Sequence, residues 1–391
     1  MKKLFAALLA VLMLLSLSAC GKKEEQPPIV ETPPPSQTQP PPVEILPPTP
    51  EELAEAAIEA RLDSMTLEKK VGQLFFVRVP AENAVEDIST YHLGGYILFG
   101  RDTKDKTANE LIQTIQRYQD AAATPLLVGV DEEGGTVVRV SSNPHLRSSK
   151  FSSPQKLYAS GGAEAVVKDA KEKSILLKAL GFNVNLAPVA DVSTNSNDFI
   201  YGRTLGQDAV ATSYYVASVV DTMQTAGMGS VLKHFPGYGN NVDTHTGIAL
   251  DQRPYEQFLN EDFMPFEAGI SEGEGTSAVL MSHNIITCMD PDLPASLSPA
   301  VHEILRSELN FEGVVMTDDL AMDAVAAYSE DGAVAVMALQ AGNDLILTTD
   351  YRTQIPKVLE AVESGILSED TIDTACRRVL KWKQDLGILK N

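Results

Sequence analysis

The sequence predicts an α/β protein folded as a single (β/α)8 barrel of the TIM type. Three observations carry that expectation. Short, near-continuous runs of valine, isoleucine and leucine recur along the chain, helix-patterned stretches separate them, and polar residues gather at the ends of the runs. Runs that are apolar on both faces belong to parallel strands covered by helices on either side. Eight such units in about 340 residues fit one closed barrel with insertions better than two open-sheet domains.

In chain order the runs are VGQLFFVRV at 71–79, GGYILFG at 94–100, PLLVGVD at 125–131 and FNVNLAP at 182–188, followed by GSVLKHF at 229–235, TSAVLMSH at 276–283, GVVMTDD at 313–319 and NDLILTT at 343–349. Residues 107–122, 208–227 and 317–342 carry helical patterning between them. Ahead of the first run, Thr49-Pro50-Glu51-Glu52 reads as a capping box with proline in the first turn, so the barrel is expected to occupy residues 51–391.

What precedes it is of another kind. Residues 1–19 hold two lysines, an unbroken apolar run from Leu4 to Leu15 and a small-residue end, the pattern of a signal peptide. The run is short for a permanent bilayer span, which takes about 20 apolar residues. Leu17-Ser18-Ala19-Cys20 resembles the bacterial lipobox, which makes Cys20 the expected lipidation site and the anchor of an extracytoplasmic lipoprotein. Residues 21–50 contain 11 of the 23 prolines and cannot bury a core, so 20–50 is expected to be a disordered, partly extended linker.

Acidic residues number 53 against 31 basic ones, a net charge of −22. Such a surface repels polyanions, which excludes nucleic acid as a partner. Three cysteines build no disulfide framework, and Cys288 and Cys376 are expected as free thiols.

The polar residues at the run ends point to function. Asp131 ends the third run, Asn185 and Asp191 follow the fourth, Lys233 and His234 end the fifth, His283 the sixth and Asp318 the seventh. On a barrel these positions converge on one mouth, where barrel enzymes keep their chemistry. Asp318, set after an apolar strand and partly desolvated, suits a nucleophile, although Asp319 is a rival and either carboxylate suits a helix cap. The segment KHFPGYGNNVDTHTG at 233–247 adds Asp243 and His245, spaced so that a carboxylate can hold and polarise an imidazole. A metal site from His234, Asp243, His245 and His283 is the other reading, but the helical spacing of zinc hydrolases is missing, and no metal or cofactor is expected.

Taken with TLEKKVGQLF (66–75), VGVDEEGG (128–135), NLAPVADV (185–192), YGRTLG (201–206), VLMSHN (279–284) and GVVMTDDLAM (313–322), that loop makes the chain resemble the family 3 glycoside hydrolases from about residue 55 onward. More narrowly it resembles their bacterial β-N-acetylglucosaminidase (β-N-acetylhexosaminidase) branch. The resemblance implies Asp318 as nucleophile, His245 as acid/base and Asp243 as its partner. It implies Asp131, Arg139, Arg203, Lys233 and His234 as the residues that hold the hydroxyls of the non-reducing sugar. Arg139 and Arg203 also suit structural ion pairs. Family β-glucosidases generally draw their acid/base from a further domain, which is not expected in this chain of 391 residues.

Four positions depart from the family pattern: Tyr238 replaces a second histidine, Glu132 a glutamine, Thr136 an arginine and Leu205 a phenylalanine. The implied reaction is a retaining removal of terminal β-linked N-acetylglucosamine from cell-wall glycans or muropeptides, through a covalent glycosyl-enzyme. A neutral imidazole repels anions less than a carboxylate does, so water and phosphate are both open as acceptors. Action on another β-sugar and a non-catalytic cell-wall-binding role are the alternatives.

Overall fold

Each of the eight apolar runs becomes one strand of a parallel sheet. The computed structural model describes residues 47–244, 247–328 and 333–390. The expected signal peptide, Cys20, the expected linker up to residue 46 and His245 lie outside the described residues. The strands are β1 (Phe75–Arg78), β2 (Gly95–Leu98), β3 (Leu127–Val130), β4 (Val184–Asn185), β5 (Gly229–Phe235), β6 (Ser277–Met281), β7 (Val315–Thr317) and β8 (Ile346–Thr348). They pair in the order β8-β1-β2-β3-β4-β5-β6-β7. A parallel bridge between Met316 and Leu345 joins β7 to β8 and closes the ring, reinforced by the Thr317 N–H on the Leu345 carbonyl at 3.1 Å.

A helix follows every strand, for example Ala108–Ala121 after β2, Ala209–Thr225 after β4 and Phe263–Glu272 after β5. With helices outside and side chains inside, the strands are buried on both faces, which is why they read as continuous apolar runs. The interior is filled across strands: Phe76 of β1 lies so close over β3 that a Cβ at Gly129 would sit 2.4 Å from its ring. Removal of a side chain is thus what lets β3 accept the ring.

Thr49 caps the first helix, Pro50–Asp63, as its sequence indicates: Thr49 Oγ1 accepts the Glu52 N–H at 3.2 Å and the Glu52 carboxylate accepts the Thr49 N–H at 2.7 Å. The last helix, Glu369–Asp385, ties this helix to the barrel, through Gln384 on the Ala54 carbonyl and the Trp382 indole N–H on the Thr276 carbonyl at 3.0 Å. Both Cys288 and Cys376 are free, the first exposed and the second buried.

One stretch corrects the sequence reading. Residues 317–342 have helical patterning, yet among the described residues of this stretch the α-helix spans Val334–Ala341, with a 3-10 segment at Asp323–Tyr328. Directly after β7 the backbone is bound to neighbouring strands instead: the Asp318 N–H donates to the Met281 carbonyl at 3.0 Å and the Leu320 N–H to the Leu347 carbonyl at 2.9 Å. The two aspartates complete the turn by accepting nearby N–H groups, which competes with helix formation.

Connections differ sharply between the two ends of the barrel. Helix-to-strand links are short, as at 122–126 and 226–228, whereas the links leaving β3, β4 and β5 run over 131–153, 186–208 and 236–254. The long links all sit at the carboxyl ends of the strands, and they build the site.

Candidate active site

The floor of the mouth is a set of paired charges. Lys233, at the end of β5 and almost fully buried, directs Nζ to Asp131 Oδ1 and Glu133 Oε1, both at 2.7 Å. Arg203 grips the same Glu133, with Nε to Oε2 at 3.1 Å and Nη2 to Oε1 at 2.8 Å. His234 stands beside them, with Nδ1 2.7 Å from Asp191 Oδ2 and Nε2 3.2 Å from Arg203 Nη2. Burial alone would drive Lys233 towards its neutral form, but the carboxylates of Asp131 and Glu133 outweigh it and hold the ammonium charged. Burial likewise opposes ionisation of Glu133, and the Arg203 and Lys233 cations reverse this, keeping it far below the usual carboxylate range. The result is a rigid, ionised rim of donors and acceptors, suited to the hydroxyl groups of a sugar.

Asp318 lies at the end of β7, half-buried, with its Oδ1 accepting the Asp319 N–H at 2.8 Å. Burial would raise its pKa; His283, His234, that N–H and Lys233 together outweigh burial and lower it. A half-buried carboxylate kept ionised has the chemistry of a nucleophile. Asp319 is turned elsewhere: its Oδ2 pairs with Arg78 at 3.4 Å and its Oδ1 accepts the Ala321 N–H at 3.0 Å. His283 is fully buried, with Nδ1 2.7 Å from Ser296 Oγ and Nε2 3.1 Å from the Asp319 carbonyl oxygen. Since a carbonyl only accepts, Nε2 carries the proton.

Of the residues singled out from sequence, Asp131, Arg203, Lys233 and His234 meet in one network. Arg139 stands at its edge, 4.0 Å from Asp131, with its guanidinium 5.6 Å from the Phe99 ring and its buried Nε without a partner among the described residues. Asp243 is half-buried on the loop that leaves β5, next to Thr244. Among the described residues no group of three or more His, Cys, Asp or Glu side chains converges as a metal site.

Glu133 is the residue the sequence reading passed over, although it is the hub of the floor. Its signal is alternation: in an extended segment Asp131 and Glu133 face one way and Glu132 the other. Glu132 indeed turns back, its carboxylate accepting the N–H groups of Arg139 at 2.8 Å, Val140 at 2.7 Å and Ser141 at 3.2 Å. An acceptor-only carboxylate satisfies those donors, which accounts for glutamate at this position. Glu133→Gln would leave buried Lys233 and partly buried Arg203 short of a counter-charge, and is expected to destabilise the fold by about 3 kcal/mol and weaken sugar binding. Thermal unfolding and KM measure the two effects.

A closed barrel with an ionised carboxylate near a polar, charge-paired floor suits a glycosidase-type site. The model of the "Glycosyl hydrolase family 3 N terminal domain" matches residues 66–382. The chain is similar to a β-hexosaminidase of Xanthomonas campestris pv. campestris, 32% identical over 282 residues that cover 71% of this chain and 82% of that protein. It is also similar to a β-hexosaminidase of Idiomarina loihiensis, 34% identical over 272 residues, or 69% and 80% of the two chains. Among solved structures, a family 3 β-N-acetylglucosaminidase from Paenibacillus sp. FPU-7 superposes with a TM-score of 0.78 at 33% identity, over 83% of this chain and 63% of that one. A β-N-acetylhexosaminidase from Beutenbergia cavernae gives 0.72 at 28% identity, over 81% and 98%. The chain belongs to glycosyl hydrolase family 3.

Proposed function

We propose that this glycoside hydrolase is a retaining, exo-acting β-N-acetylglucosaminidase that removes terminal β-linked N-acetylglucosamine from cell-wall fragments. The observation that supports this reading is the Asp318 carboxylate, set at the end of β7 with Oδ1 on the Asp319 N–H and with His283, His234 and Lys233 near enough to favour its charge. The names of the Xanthomonas and Paenibacillus proteins support the choice of sugar.

In the first step an Asp318 carboxylate oxygen forms a bond to the anomeric carbon. The bond to the aglycone oxygen breaks, and His245 gives that oxygen its proton. In the second step His245 takes a proton from water as the water oxygen displaces Asp318, so two inversions give net retention. Asp243, two residues earlier in the chain, is the carboxylate partner of His245 in this reading. Asp131, Arg203, Lys233 and His234 grip the sugar hydroxyls, with Arg139 reaching them from the edge.

A panel of 4-nitrophenyl β-glycosides, run with and without phosphate, tests the reading. Cleavage of the N-acetylglucosaminide with the β-anomer released first is the expected result. Preference for a glucoside moves the enzyme to another β-sugar. A phosphate-dependent sugar 1-phosphate product makes it a phosphorylase.

We also propose a location, which rests on the lipobox-like Leu17–Cys20. Lipidation of Cys20 would anchor the enzyme to the outer face of the cell membrane, beside its substrate. Mass spectrometry of the membrane-derived protein checks this, with a diacylglyceryl adduct on an N-terminal Cys20 expected.

A further inference from the structure

We propose that Tyr238 is a positioning residue that locks the acid/base loop to the sugar-binding floor before substrate arrives. The inference rests on the assignment of Asp243 and His245 as the acid/base pair. Tyr238 touches both ends of the arrangement. Its backbone N–H donates to Asp191 Oδ1 at 2.7 Å, the same carboxylate that holds His234 through Oδ2. Its buried ring lies edge-on to the His234 imidazole, with centroids 5.6 Å apart, and against Phe199 at 5.7 Å. Its phenol oxygen then reaches Thr244, accepting the Thr244 N–H at 2.9 Å and pairing with Thr244 Oγ1 at 3.0 Å. Thr244 is the residue between Asp243 and His245. One side chain thus spans from the floor to the residue that separates Asp243 from His245 in the sequence.

The base of the loop is fixed independently, so the phenol contact acts on a short, bounded segment. Arg253, clamped by Asp251 and Asp262, donates from Nη2 to the Gly237 carbonyl at 3.1 Å. Gly237 packs so tightly there that a Cβ would sit 2.2 Å from Asp262 Oδ1. Asn241 closes the turn by donating to the Tyr238 carbonyl at 2.9 Å and to Asp251 Oδ2 at 2.7 Å. Gly237 and Asn241 are thus held at the base, and beyond them the Tyr238 hydroxyl fixes Thr244. The tyrosine stands where the family pattern has histidine, so this lock belongs to this chain's own residues.

The test is Tyr238→Phe, which keeps the ring against His234 and Phe199 and deletes only the oxygen. Misplacement of a catalytic group by about 1 Å costs on the order of 10²-fold. The loss of kcat/KM is therefore expected to be roughly 10- to 100-fold for aglycones with poor leaving groups and small for activated aryl glycosides. Affinity for a non-hydrolysable N-acetylglucosamine analogue is expected to stay unchanged, because the floor is untouched. Thr244→Val removes the partner hydroxyl, and combining the two variants is expected to lose less than the product of the single losses. An equal loss across all leaving groups, or strict multiplicativity of the two variants, overturns the proposal. His245→Ala run alongside separates the two ideas: leaving-group dependence there but not in Tyr238→Phe overturns only the lock, whereas its absence in both overturns the acid/base assignment as well.

Discussion

Asp318→Asn is expected to lower turnover of an aryl N-acetylglucosaminide by on the order of 10⁴-fold or more, in a protein that remains folded. Asparagine keeps the volume and can keep the hydrogen bond that Oδ1 accepts from the Asp319 N–H. It loses the nucleophilic oxygen, and with it the charge that His283, His234 and Lys233 favour. Asp319→Asn is the control, expected to cost under about tenfold, since it weakens a pair with a half-exposed Arg78 and leaves the turn's N–H contact available. Reversed effects would move the nucleophile to Asp319. The lowered pKa of Asp318 sets the sign of the pH dependence: the carboxylate stays ionised below its ordinary value of about 3.9, so the acidic loss of kcat/KM due to this group is expected below that pH.

His245→Ala is expected to show its largest effect on substrates whose leaving oxygen is basic. General-acid help is needed in proportion to that basicity and is worth about 10²–10⁴-fold. With a natural-type sugar aglycone, the first step is expected to be crippled. With an activated aryl glycoside, the glycosyl-enzyme still forms and its hydrolysis becomes limiting, because no base remains to take the proton from water. Azide, a small anion that needs no base, is then expected to restore turnover and give the β-glycosyl azide. Asp243→Asn is expected to show a milder form of the same pattern. Activity is expected to survive exhaustive chelation. Uniform loss across leaving groups, or no loss, contradicts the assignment.

The barrel was legible because burial on both faces leaves the strands no polar residues except at their ends. All eight runs therefore stood out, and so did the residues that interrupt them, among them Lys233, His234, His283 and Asp318. The misread stretch at 317–342 has an apolar pattern that suits a helix, but its first turn is claimed by hydrogen bonds to β6 and β8, which no local pattern reveals. Glu133 was hidden for a related reason. In the string Asp131-Glu132-Glu133 charge says nothing about which carboxylate faces the mouth, and only the extended backbone separates the two that do from the one that turns away. Arg253 and Tyr238 lay deeper still: each acts through a backbone group or hydroxyl brought near by the loop's return, Arg253 on the Gly237 carbonyl and Tyr238 on Thr244.

The most direct measurement is to trap the covalent intermediate. A 5-fluoro N-acetylglucosaminyl fluoride slows both steps by destabilising positive charge near the anomeric centre, while its good leaving group speeds the first, so the glycosyl-enzyme accumulates. Peptide mapping of the trapped protein is expected to find one sugar equivalent on the carboxylate of Asp318. A sugar on Asp319 or on any other residue, or turnover of this reagent without any covalent adduct, would contradict the account.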